Sequence, residues 1–135
     1  MNFMARLITV LLVLIAAAFA ADRDLAGRFA GEWKSASSEN GGAIQFALDP
    51  QEGAAWKCDL TFFLDSGEVK TVMREVKLQD GKLELAYDFD VQGTTLRSHI
   101  KGAWDGATFR GTYETTVSDG SQQVDSGSWS ASRKK

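Results

Sequence analysis

The sequence predicts an all-β domain: eight strands in an antiparallel up-and-down meander that closes into a barrel, with a two-sheet sandwich as the alternative. Three observations lead there. From Gly31 onward apolar residues recur at every second position, the period at which successive side chains of a strand point to opposite faces. Turn-forming groups recur every ten to fifteen residues, at Asn40-Gly41-Gly42, Asp49-Pro50-Gln51-Glu52-Gly53, Ser66-Gly67, Asp80-Gly81, Gln92-Gly93, Asp105-Gly106 and Asp119-Gly120. No long helical period follows residue 21, only a short turn around Asp22 to Arg28. Strands that are apolar on one face and joined in sequence by hairpins bury all their faces together most economically by curling into a barrel.

Ahead of the strands, residues 1–20 have the three parts of a secretory signal. Met1 to Arg6 carries one positive charge, Leu7 to Ile15 is apolar apart from Thr9, and Ala18 and Ala20 stand as an A-x-A cleavage pair. The apolar stretch is short of the ~20 residues needed to span a bilayer. Cleavage is therefore expected after Ala20, leaving residues 21–135 as one secreted or periplasmic domain with no stable membrane insertion. The leader holds one basic and no acidic residue, so its removal takes the net charge from −3 to −4. Such a balance argues against nucleic acid as a partner.

The first strand carries Gly31-Glu32-Trp33 and then a Ser- and Ala-rich run, Lys34 to Ser38. In the third, Trp56, Cys58, Leu60, Phe62 and Leu64 share one face, and Lys57, Asp59, Thr61 and Asp65 the other. In the fifth, Leu83, Leu85, Tyr87, Phe89 and Val91 oppose Glu84, Asp88 and Asp90. Two-residue turns fix register, so the middle hairpins can be paired residue by residue. Turning at Asp80-Gly81 sets Lys77 against Glu84, Leu78 against Leu83 and Val76 against Leu85. Turning at Gln92-Gly93 sets Asp88 against Arg97, Glu84 against Lys101, Phe89 against Leu96 and Leu85 against Ile100. Turning at Asp105-Gly106 sets Arg97 against Glu114, Gly102 against Phe109 and, unfavourably, Lys101 against Arg110. For the last hairpin a three-residue loop, Asp119 to Ser121 with Gly120 at positive φ, turns Trp129 inward opposite Gly111 and Tyr113 opposite Gly127. Gly102, Gly111, Gly127 and Trp129 thereby acquire structural roles, each ring covering a glycine that would leave a gap.

One inward position breaks the apolar pattern. Arg74 lies between Val72 and Val76, and the registers carry it to Tyr87, Ser98 and Tyr113 in one polar layer. A buried guanidinium is costly unless paired, and Asp125, opposite Thr115 near the rim, is the one evident inward carboxylate. An acidic head group of an amphiphile would satisfy Arg74, with Tyr87, Ser98 and Tyr113 as further ligand-binding residues. A bulge near Met73 would instead turn Arg74 outward. If the barrel is hollow, the cavity is expected beside the first and last strands, where small residues gather.

Other chemistry finds little support. One His and one Cys exclude a His/Cys metal site and a disulfide framework, so no metal and no cofactor are expected. His99 falls outward in a charged ladder, opposite Ala86 and Thr112, so no catalytic residue is assigned and the protein is not read as an enzyme. Cys58 faces inward as a buried, inert thiol.

Eight antiparallel runs, Gly31-Glu32-Trp33 on the first strand and Arg133 closing the last resemble the lipocalin and calycin barrels. The resemblance implies a structural pair, Trp33 packed under Arg133 to close the base of the barrel, and an interior that binds small apolar molecules. The expected function is thus binding of a small apolar or amphiphilic acidic ligand. The alternative is a secreted protein-binding module, such as a hydrolase inhibitor, with a filled core and a partner held by rim loops Ser37 to Gly42 and Asp49 to Ala54.

Overall fold

The computed structural model describes residues 22–134, and the expected leader lies outside them. Nine strands follow a single helical turn: β1 (Gly27–Ser35), β2 (Gly41–Pro50), β3 (Trp56–Leu64), β4 (Gly67–Lys70), β5 (Val72–Gln79), β6 (Lys82–Val91), β7 (Thr94–Trp104), β8 (Thr108–Val117) and β9 (Gln123–Arg133). All pair antiparallel in the order β4-β3-β2-β1-β9-β8-β7-β6-β5, so the first and last strands lie side by side and the sheet curls on itself. The fold is an all-β, nearly closed, lipocalin-like barrel. The expected count of eight becomes nine because the fourth run divides at Thr71. Its first half pairs with β3 and its second with β6, and the Thr71 hydroxyl donates to the carbonyl of Leu60 at 2.7 Å where the chain changes partner. The continuous chain thus joins the two ends of the sheet.

Turn chemistry decides which registers hold. Asp80 and Gly81 have φ of +54° and +74°, and Gln92 and Gly93 +49° and +84°, the paired left-handed conformation of the tightest hairpins. The expected pairs Lys77 with Glu84, Leu78 with Leu83, Val76 with Leu85, Asp88 with Arg97, Phe89 with Leu96 and Leu85 with Ile100 are all present. The β7–β8 connection differs. Asp105 accepts the N–H groups of Ala107 and Thr108 at 2.9 and 2.8 Å and stretches the turn to four residues. Register slips by two, which keeps every side chain on its expected face while changing its neighbour. Ser98 faces Thr115 rather than Tyr113, Arg97 faces Thr116 rather than Glu114, His99 faces Glu114 rather than Thr112, and Gly102 faces Gly111 rather than Phe109. The slip also removes the repulsive pair, since Lys101 now faces Thr112. The body of the last hairpin keeps the expected register, with Gly111 against Trp129 and Tyr113 against Gly127. A shift between Thr115 and Thr116 then sets Thr116 against Gln123, and the Val117 N–H donates to the Gln122 carbonyl, so the loop spans residues 118–121 rather than the expected three, with Gly120 at φ +78°.

The two halves of the interior differ. One end is filled by rings: Phe29 stacks on Phe46 at 5.3 Å and meets Phe109 and Trp104 edge-on at 5.1 and 5.8 Å. Phe29 and Phe109 are wholly buried, each contributing about 2–3 kcal/mol of apolar burial. Two glycines make room here. A Cβ on Gly102 would sit 2.5 Å from the Trp129 ring, and one on Gly111 only 1.7 Å from the Lys101 carbonyl. Trp129 therefore covers Gly102 from within, one strand away from the expected contact with Gly111. The resemblance to lipocalins implied that Arg133 closes over Trp33. Arg133 instead lies over Phe29 and Trp104, at 5.3 and 5.9 Å from their ring centres, and donates to the carbonyls of Ala26 and Asp24. Strand β1 begins four residues before Gly31, so Phe29 rather than Trp33 is the ring opposite Arg133.

Candidate functional site

The other half of the barrel is hollow. A cavity of about 370 Å³ opens between the β1–β2 loop and the start of β9. Its floor is Trp33 and Trp129, cross-strand partners on β1 and β9. Ile44, Phe62, Leu64, Phe89, Val91, Leu96 and Ile100 form apolar walls, and Ser37, Ser38, Asn40, Val124 and Asp125 lie towards the mouth. The expected position beside the first and last strands holds for one side of the cavity; β6 and β7 form the other. The rings along the wall touch in sequence. Trp33 lies edge-on to Tyr113 at 6.0 Å and to Phe62 at 6.2 Å, and Phe62 meets Phe89 at 4.8 Å and Tyr87 at 6.2 Å. The Trp33 indole is held by its N–H, which donates to the Phe63 carbonyl at 3.1 Å.

Three of the four expected ligand-binding residues, Tyr87, Ser98 and Tyr113, line this cavity, and the fourth does not. The pairing of β5 with β6 shifts between Met73 and Glu75, so Met73 rather than Arg74 faces Tyr87. Arg74 is the extra residue of a β-bulge, which turns it to the outer face. There its Nε donates to Asp88 at 2.9 Å, while Arg97 grips the same carboxylate through Nε at 2.7 Å and Nη2 at 3.1 Å. The two guanidiniums lower the pKa of Asp88, with the hydrogen bond from Arg97 the largest cause. No cation therefore enters the barrel from β5, and the basis for an acidic head group on Arg74 is gone.

The charge that does reach the cavity is negative. Asp125 accepts from the Tyr113 hydroxyl at 2.8 Å through Oδ2, and from Ser35 and Ser37 at 2.7 and 3.3 Å through Oδ1. A second polar pair, the hydroxyls of Ser98 and Thr115 at 2.6 Å, is buried on the two strands next to it, with Thr115 the cross-strand partner of Asp125. Burial raises the pKa of Tyr113, and its hydrogen bond to Asp125 raises it further; burial is also the main cause of the raised pKa of Tyr87. Both phenols are neutral at physiological pH, and that of Tyr113 donates to Asp125. The membership of Ser35 was readable from parity, since it follows Trp33 on the inward face of β1.

The other positions are placed plainly. His99 is exposed on the outer face between Ala86 and Glu114. Cys58 is buried, and its thiol is pushed up to about 12 by burial, with Asp59 adding to the shift. The two rim loops of the protein-binding alternative lie at opposite ends of the barrel, because successive hairpins of a meander alternate ends. Ser37 and Ser38 border the cavity, whereas Gly53 and Ala54 neighbour Arg23 at the filled end. One partner cannot be held by both as a single face.

No family model matches the chain, and no curated protein matches it. Among solved structures, the chain is similar to that of EF1p2_mFAP2b bound to DFHBI, with a TM-score of 0.62 and 10% sequence identity over 82% of this chain and 94% of that one. At that identity the likeness shows the fold. Together, fold and site define a small antiparallel barrel that is plugged at one end and hollow at the other.

Proposed function

We propose that the protein binds a small, largely apolar molecule inside its barrel. The observation that carries this is the 370 Å³ cavity, which is open at one end and walled by apolar and aromatic side chains with a few convergent hydroxyls. A cavity of this size suits a ligand of one or two fused rings rather than a long acyl chain. The similar structure's bound DFHBI, a small molecule, is consistent with the fold accepting such a guest. The leader-like composition of residues 1–20 supports export, so the ligand would be met outside the cytosol.

The test is fluorescence titration with N-phenyl-1-naphthylamine, a neutral probe that brightens in apolar surroundings. The expected result is saturable binding by the unmodified chain and loss of at least about tenfold in affinity for Leu96→Trp, which fills the cavity from its wall. Undiminished binding by a folded Leu96→Trp chain would overturn the proposal. Export is checked separately by N-terminal sequencing of protein recovered outside the cells, where the first residue should be Ala21.

A further inference from the structure

The cavity has an electrostatic polarity that its size alone does not require. None of the described residues lining it is Lys, Arg or His, and Asp125 is its one acidic member. The ion pairs of the described residues all lie elsewhere, on Asp88, Glu84 and Asp105. The Asp125 carboxylate is half-buried and held by three hydroxyls, all neutral. Hydroxyl donors orient a carboxylate and relieve part of its desolvation, but they do not cancel its charge. The ring next to this carboxylate is Tyr113, then Trp33, then Phe62. Aromatic faces offer negative electrostatic potential to a cation, and the effect strengthens where water is excluded.

Resting on the cavity reading above, we propose that the site selects an aromatic or alicyclic amine, with its protonated nitrogen at Asp125 and its apolar body along Trp33, Phe62 and Ile100. The carboxylate supplies the counter-charge, and Tyr113, Ser35 and Ser37 fix its orientation so that little reordering accompanies binding. An anionic ligand of the same shape would be rejected, since no cation lies in the lining to receive it.

The experiment displaces bound N-phenyl-1-naphthylamine from the full chain with three molecules of one skeleton: 2-naphthylmethylamine at neutral pH, 2-naphthalenemethanol and 2-naphthoate. The amine is expected to compete about tenfold better than the alcohol, and the naphthoate worst. In Asp125→Asn the advantage of the amine over the alcohol should disappear, the two competing within about twofold of each other. The ranking in the unmodified chain decides the matter even if the variant fails to fold. Binding of the probe with no preference for the amine, or preference for the naphthoate, overturns the amine assignment and leaves the cavity reading standing. Failure of the probe itself to bind, with the amine still giving saturable quenching of Trp fluorescence, supports the amine assignment; failure of both overturns the two together.

Discussion

The carboxylate of Asp22 accepts the backbone N–H of Asp80 at 2.9 Å, and its other oxygen accepts that of Gly81 at 2.8 Å. The segment before β1 thereby latches the β5–β6 turn from the far side of the barrel, with Leu25 buried beneath it. Asp22 is itself buried, so its two bonds to turn N–H groups are formed with little competition from water. Asp22→Ala leaves those donors without a partner at a turn whose φ values are both positive. The expected loss is about 2 kcal/mol, read as a fall in Tm of roughly 8 °C. An unchanged Tm would show that the latch is ornamental.

Acid should act through Asp88. Its pKa is lowered in the folded chain from the ordinary 3.8, so its contribution to stability is complete above that value and is lost as pH falls through the lower folded pKa. The unmodified chain should therefore lose its margin over Asp88→Asn on going from about pH 5 to below pH 3. Urea midpoints of both chains across that interval check the sign. A margin that grows towards acid would contradict the ion-pair assignment.

Cys58 should be silent towards thiol reagents while the barrel is intact. With the thiol pushed up to about 12, almost none of it is thiolate at pH 8, and the side chain is closed to solvent. Dithionitrobenzoate is expected to release no thionitrobenzoate on the minutes scale from the native chain. It should release one equivalent after denaturation, matching the single Cys. Prompt reaction of the native protein would place β3 in a more open arrangement than described.

What the sequence reveals depends on how locally each feature is determined. The β5–β6 and β6–β7 registers were legible because Asp80-Gly81 and Gln92-Gly93 leave room for only one turn type. The β7–β8 register was not, because Asp105 can spend its side chain on the Ala107 and Thr108 N–H groups and lengthen the loop, a choice that the dipeptide Asp-Gly does not announce. The same limit governs the site. Tyr87, Ser98, Tyr113 and Asp125 were readable from parity, since a slip of two residues preserves the face. For Arg74 the alternative holds, a bulge near Met73 that shifts parity by one and turns the side chain outward; Met73-Arg74-Glu75 has no turn residue to decide between the two placements. The latch at Asp22 joins positions 58 residues apart through a side chain and two amides, which no periodicity encodes.

The division of the fourth run at Thr71 bears on how the protein survives at high concentration. An open nine-stranded sheet would present two full-length edges of unpaired amides to other molecules, the usual template for intermolecular strand addition. Here one edge is β4, only four residues long, and the other is β5, which begins with a bulge and carries Arg74, Glu75 and Lys77 along its exposed side. Covalent continuity through Thr71 holds the two edges against each other, so self-association by edge pairing has no long, flat strand on which to start.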